Sequence, residues 1–242
     1  MNLRVRAVLR KEFREFRRNK FVVGTMLILP LFFIVIPVGN ILSLKAGTSH
    51  EAVRAVVGGA SLSFFLVPLI LPTVIAGYAV VGEREQGTLE PILTTPIRET
   101  ELLLGKALAA IVPAVTISYV LFAVYAVAVR IWAIQDVVNI VWQPSQVVAV
   151  ILSAPLLSAF SIWIGLAISA RSSDIRVAQQ LSALAMLPML GLIALFTFQV
   201  VTPSVTVAIL GALVLVVFDI GAWRVVSAMF DRERMLTRYG RA

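Results

Sequence analysis

The sequence contains no cysteine and only one histidine, His50. Without a thiol, the chain forms neither a disulfide nor a thiolate metal site, and it has no cysteine nucleophile. One histidine alone does not supply the ligand set of a zinc site. The sequence therefore predicts no metal site.

Charge is scarce as well. Only 14% of the 242 residues are charged, 60% are hydrophobic, and the mean hydropathy is +0.96. Soluble domains are roughly half apolar and a quarter charged. The composition therefore indicates an integral membrane protein.

Long stretches of the chain carry at most one charged residue, and each can be compared with the roughly 20 residues that cross a bilayer. Division at polar segments predicts an all-α integral membrane protein, a single transmembrane domain over residues 1–242. Whether residues 192–201 dip back into the membrane is left open by the sequence. The six predicted spans are 21–44, 56–82, 103–129, 147–169, 178–201 and 205–224.

The distribution of Lys and Arg predicts the orientation. An even number of spans puts both termini on one side, and all 21 Lys and Arg except Lys45, Arg54 and Arg130 lie on that side. Positively charged loops stay in the cytoplasm. Both termini, the loop 83–106 and the tail 225–242 are thus expected there. Topology and anionic lipid account for the net charge, and no nucleic-acid partner is predicted.

Residues 1–20 predict an amphipathic interfacial helix. At 100° per residue, four apolar side chains share one arc and basic residues cover most of the rest. This helix has two interpretations: an anchor on membrane lipids, or a lever that contacts a cytoplasmic partner. Its predicted residues are Val5, Leu9, Phe13, Phe16, Arg17 and Arg18.

Residues 83–95 predict a short helix between the second and third spans. Gly87 and Thr88 supply a turn and a helix N-cap, after which Leu89, Ile92 and Leu93 share one face. On these residues alone, a solvated turn is an equal alternative. An apolar face outside the membrane is favourable only if another polypeptide buries it.

The run GEREQGTLEP from Gly82, followed by Thr95-Pro96 and Gly105-Lys106, resembles the cytoplasmic loop of ABC-2 type exporter permeases. The start of the chain, with KEFR at 11–14, is similar to that family too. The resemblance implies a prokaryotic cytoplasmic membrane protein. It also implies a coupling helix at 83–95 that docks on a separate ATP-binding subunit, and a second permease subunit, identical or related.

Carried over residue by residue, the resemblance assigns a set of contacts to the ATP-binding subunit. The loop near 171–176 is the second candidate contact. The residues are Glu83, Arg84, Glu85, Gly87, Thr88, Leu89, Glu90, Ile92, Leu93, Arg171 and Asp174.

No phosphate-binding GxxxxGK[ST] loop is present in the sequence. The chain is accordingly expected to bind no cofactor and to be no enzyme, with ATP and magnesium on the partner subunit. The function implied is export of a lipid-like, drug-like or other amphipathic substrate.

Polar residues inside the predicted spans are candidates for a substrate path. Ordinary helix packing explains most of them equally well. Asp219 is the acid placed inside a span, with either a structural or a substrate role. The candidates are Thr73, Tyr78, Thr116, Tyr119, Ser158, Thr197, Gln199 and Asp219.

Two other classes are weighed against this one. A secondary transporter or channel without an ATPase partner requires intramembrane charges or broken helices near the midplane of several spans, and a single, off-centre Asp219 argues against it. A membrane enzyme requires a convergent nucleophile, acid and base, and no such cluster occurs in the sequence.

Overall fold

The computed structural model describes residues 3–45, 47–77, 81–83, 87, 97–198 and 204–229. Within these ranges the regular secondary structure is entirely helical. The helices are α1 (Leu3–Arg18), α2 (Lys20–Leu42), α3 (His50–Gly77), α4 (Glu99–Trp132), α5 (Gln135–Val141), α6 (Pro144–Arg171), α7 (Ile175–Ala185), α8 (Leu187–Thr197) and α9 (Val205–Met229).

Six segments of the described chain are long and apolar enough to cross a membrane. Five are single helices, α2, α3, α4, α6 and α9, and the sixth is Ile175–Thr197, formed by α7 and α8. The prediction of an all-α membrane protein with six spans is confirmed. Most of the predicted helix at 83–95 falls outside the described residues.

Several helices extend past the predicted spans. α4 has 34 residues, about 51 Å at 1.5 Å per residue, against a hydrocarbon thickness of about 30 Å. α9 continues to Met229, beyond the predicted end at 224. Hydropathy marks only the lipid-embedded length, whereas backbone hydrogen bonds continue the helix as long as no residue interrupts them.

The fifth span is broken at Met186. Pro188 follows at the start of α8 and has no N–H to donate to the preceding turn. The Met186 N–H instead bonds to the carbonyls of Ala183 and Leu184, which ends α7. The predicted continuous span at 178–201 is therefore two helices.

Together α7 and α8 make a complete crossing. A Cβ built on Gly77 would lie 2.7 Å from Cγ of Gln179 in α7, and one on Gly58 would lie 2.7 Å from the Thr197 carbonyl oxygen at the end of α8. Gly58 and Gly77 are separated by about 28 Å along α3. Residues 192–197 thus complete the crossing and do not turn back.

α3 and α6 are in close contact near their C-terminal ends. A Cβ on Gly165 would lie 2.4 Å from Cβ of Ala76. The Ser169 hydroxyl donates to the Gly77 carbonyl at 3.4 Å and accepts from the Val81 N–H at 3.3 Å. In lipid, helices associate through such close contacts between small residues. These contacts therefore hold α3 against this face of α6.

A short helix that the sequence did not predict, α5, follows α4. Val137, Val138 and Val141 are buried and pack into the cluster formed by α3 and α4. The flanking Trp132 and Trp142 are exposed. Three valines beside the polar residues Gln135, Asp136 and Asn139 were the signal for a packed face.

Tyr119 completes the backbone hydrogen bonding of α6. Pro155 lacks an N–H, so the Ile151 carbonyl one turn earlier has no helical donor. The Tyr119 hydroxyl donates to that carbonyl at 2.7 Å. A residue predicted to line the substrate path thus satisfies a carbonyl that proline leaves unpaired.

We expect Tyr119→Phe to lower the free energy of unfolding by about 1 kcal/mol, because the Ile151 carbonyl loses its donor. In a Pro155→Ala background the new amide donates to the Ile151 carbonyl, so Tyr119→Phe should lower the free energy of unfolding by less than it does in the wild type. The free energies of unfolding of the wild type, the two single variants and the double variant are measured by reversible unfolding in bicelles. Tyr125→Phe is the matched control, since the buried Tyr125 hydroxyl has no hydrogen-bond partner among the described residues. Equal losses in both backgrounds would contradict this role.

Candidate functional site

α1 packs against the first turns of α4. A Cβ built on Gly105 would lie 2.5 Å from Cγ1 of Val8, so only glycine permits this approach. The buried residues of α1 are Val5, Val8 and Glu12. The contact places a carboxylate on the buried face of the helix.

The face of α1 that packs against α4 overlaps the predicted apolar stripe only in part. Val5 is buried, but Leu9, Phe13 and Phe16 are half-buried on the flank of the contact, and the centre shifts toward Val8 and Glu12. The helical wheel ranked positions by hydrophobicity and so excluded Glu12. The exposed residues Arg17 and Arg18 lie at its C-terminal end, before Asn19, which caps α2.

A buried ion cluster joins α1, Glu83 and α4. The Lys106 ammonium lies 3.0 Å from Oε1 of Glu12 and 2.7 Å from Oε1 of Glu83. The exposed fractions of the three side chains are 2%, 5% and 6% for Lys106, Glu12 and Glu83. Lys11 pairs with Glu83 and lies 3.2 Å from Glu12 and 2.9 Å from Glu15. We call Lys11, Glu12, Glu83 and Lys106 the ion cluster.

The charges in the ion cluster stabilise one another against burial. Burial alone raises the pKa of Glu12, but the nearby Lys106 and Lys11 ammonium groups outweigh it and hold that pKa below the ordinary value. Burial lowers the pKa of Lys11, but the Glu12 and Glu83 carboxylates outweigh it, and the result lies above the ordinary value. Lys11 and Glu12 therefore act as charges.

A second contact secures the start of α1. Arg4 lies 3.5 Å from Oε2 of Glu101. The same carboxylate accepts a hydrogen bond from the Arg98 N–H at 3.0 Å, which caps α4. The first two turns of α4 are thus tied to both ends of the α1 contact.

The carboxylates of Glu12, Glu15 and Glu83 offer oxygens within 4.8 Å of one another. The Lys11 and Lys106 ammonium groups lie among them and offset two of the three negative charges. This arrangement fits two lysines, and it does not fit a bound metal ion.

The structure places four of the predicted contacts to an ATP-binding subunit. Glu83 is internal to the ion cluster. Gly87 is exposed with a φ of 67°, in the left-handed region that a turn glycine favours. Arg171 is exposed at the end of α6, and exposed Asp174 caps α7 by accepting from the Arg176 N–H at 2.6 Å. The others lie outside the described residues: Arg84, Glu85, Thr88, Leu89, Glu90, Ile92 and Leu93.

The candidate substrate-path residues have local roles where they are described. Thr73, Thr116 and Thr197 donate to carbonyls of their own helices at 2.8–3.0 Å, and Tyr119 bonds to Ile151. Ser158 and Asp219 are different: both are buried, and their side-chain oxygens have no hydrogen-bond partner among the described residues. Tyr78 and Gln199 lie outside that part of the chain.

Sequence reasoning did not single out Glu12 or the pairing of Lys106. The signal for Glu12 was its position at the edge of the apolar arc of α1, about 20° from Val5 on the wheel, where a buried carboxylate requires a partner. Lys106 was placed at the foot of the third span, but its two partners lie 94 and 23 positions away. Only helix packing brings them together.

A sequence model of the ABC-2 type transporter family matches residues 4–197. The chain belongs to this family. The matched region includes all four residues of the ion cluster and the whole predicted coupling segment. Membership identifies the chain as a membrane component of an ABC transporter, and it confirms the resemblance that the loop 83–106 carried.

The chain is also similar to a curated protein from Stutzerimonas stutzeri, the probable ABC transporter permease protein NosY. The two are 38% identical over 104 residues, which cover 41% of this chain and 36% of that relative. The matched segment thus spans about a third of the relative's length.

Replacement of Lys106 by Met should be strongly destabilising, because it leaves two buried carboxylates with Lys11 alone. We expect a loss of about 3–5 kcal/mol in the free energy of unfolding. Adding Glu12→Gln should restore part of it by removing one unpaired charge. The exposed Lys45→Met is the control and should change stability by less than about 0.5 kcal/mol. A loss that Glu12→Gln does not reduce would count against the pairing.

The stability that Glu12 contributes should depend on pH. Because its pKa is lowered in the folded protein, this stability is complete above the ordinary glutamate pKa of 4.5 and is lost as the pH falls below it. The difference in unfolding free energy between wild type and Glu12→Gln should therefore narrow in acid. Unfolding measured across this range tests the prediction, and a constant difference would be inconsistent with it.

Proposed function

We propose that this chain is the permease subunit of an ABC exporter that moves a lipid-like, drug-like or other amphipathic substrate. ATP is hydrolysed, with magnesium, on a separate ATP-binding subunit. The observation that carries the proposal is the ion cluster, because it closes the base of the segment between α3 and α4 in a member of the ABC-2 type transporter family.

The coupling step follows from this geometry. Glu83 and Lys106 stand at the two ends of residues 84–105, and their ion pair joins those ends at 2.7 Å. Lys11 and Glu12 add α1 to the same cluster. A displacement of the loop is therefore shared among the second span, the third span and α1, instead of being absorbed by bending at the base.

The proposed assembly is a pair of permease subunits, identical or related, with two ATP-binding subunits. It lies in the cytoplasmic membrane of a prokaryote with both termini in the cytoplasm, and membrane lipids contact α1. The distribution of Lys and Arg supports this orientation. Docking involves the loop 83–95, of which Gly87 is described as exposed, and the exposed Arg171.

A test of coupling must distinguish a loss of docking from a loss of the internal contacts of Glu83. We suggest co-purifying the chain with its candidate ATP-binding subunit in nanodiscs and measuring ATP hydrolysis. Leu89→Asp/Ile92→Asp should abolish the complex or reduce the permease-dependent activity at least tenfold, because charge is placed on the proposed docking face. Arg130→Gln, predicted on the opposite side of the membrane, is the matched control.

Glu83→Gln supplies the second arm of this experiment. It should leave the docking face intact but weaken the ion cluster, so the complex forms while ATP hydrolysis loses its dependence on the permease. If the Leu89→Asp/Ile92→Asp variant still forms the complex and keeps wild-type ATP hydrolysis, docking through this segment is refuted.

A further inference from the structure

An apolar cavity of about 340 Å³ lies between α8 and α9, with α3 and α6 behind it. Ser153 is the one polar residue among those that line it. Small-molecule sites are typically of this size or larger and mainly apolar, with few polar groups. Residues that line the cavity include Phe65, Leu157, Ile193, Phe196, Ala212 and Leu215.

Asp219 lies next to this cavity along α9. Leu215, one turn before it, lines the cavity, and Trp223, one turn after it, packs against Trp163 with ring centroids 5.0 Å apart. Residues four positions apart share a helix face. The carboxylate is thus placed about 6 Å along the axis from the lining residue Leu215, between the cavity and the tryptophan pair.

Asp219 forms no ion pair among the described residues, and the other charged residue of α9 is Arg224, five positions later. The residue is 9% exposed, and neither carboxylate oxygen has a hydrogen-bond partner in the described part of the chain. Asp219 is about 21 Å from the start of α9 and about 7.5 Å from residue 224, where the predicted span ends, so it lies within that span. α6 and α8 carry one charged residue between them, Arg171 at the far end of α6.

A carboxylate at this depth is costly unless a positive group compensates it. In a medium of low dielectric constant, a cation held in the cavity would be attracted strongly across a few ångströms. The neighbouring apolar walls favour a cation whose surface is itself apolar. Phe65 and Phe196 add aromatic faces that also attract cations.

We propose that the cavity and Asp219 form a binding site for a lipophilic organic cation. Its apolar body fills the space between α8 and α9, and its charge lies beside the Asp219 carboxylate. This inference extends the proposed function by naming a substrate class. The binding itself requires no ATP-binding subunit and is tested without one.

The test uses the purified chain in nanodiscs and radiolabelled tetraphenylphosphonium, with empty nanodiscs as background. Tetraphenylborate has nearly the same shape and the opposite charge. We expect saturable binding of the cation that Asp219→Asn weakens at least tenfold and that tetraphenylborate does not displace. Asp136→Asn, an exposed acid on α5, should leave binding unchanged.

A second variant tests the cavity independently. Ala212→Phe should fill the space and abolish binding, while the tryptophan fluorescence of the Trp163–Trp223 pair reports that the variant is folded. Unchanged affinity in folded Asp219→Asn, equal displacement by tetraphenylborate, or no saturable binding would each overturn the proposal. If the cation binds saturably but ATP does not drive its release from the full complex, the binding site is supported and the transport function is contradicted.

Discussion

The Lys106 ammonium, buried between two carboxylates, is the interaction on which the arrangement of this end of the bundle depends. A lysine with 2% of its side chain exposed is stable as a cation only if its partners are held in place. Glu12 requires α1 to lie on α4, and Glu83 requires the end of the second span to reach the foot of the third. One charge thus sets the positions of three elements.

Gly105 makes that arrangement sterically possible. It lets Val8 approach where a Cβ would overlap it, and this brings Glu12 within reach of Lys106. The same principle holds near the C-terminal ends of α3 and α6, where Gly165 meets Ala76. Because lipid gives no hydrophobic drive for helix association, close backbone contact and satisfied polar groups must hold these helices together.

The buried acids Glu12 and Asp219 show how a structural role for a carboxylate differs from a role in binding a ligand. Glu12 is compensated by two lysines and joins helices. Asp219 has no such partner among the described residues, and it borders an apolar cavity. A buried charge that the fold compensates explains architecture, whereas one that the fold leaves uncompensated points toward a ligand.

The sequence by itself determined the all-helical class, the six spans and the location of the loop between α3 and α4, because these depend on local hydropathy and length. Even the break at Met186 had a local sign in Pro188. Only the tertiary structure decided that Glu83 is internal, that Glu12 faces Lys106 and that Tyr119 serves the Ile151 carbonyl. Those pairs are 23, 94 and 32 positions apart, and helix packing, which no local pattern encodes, selects them.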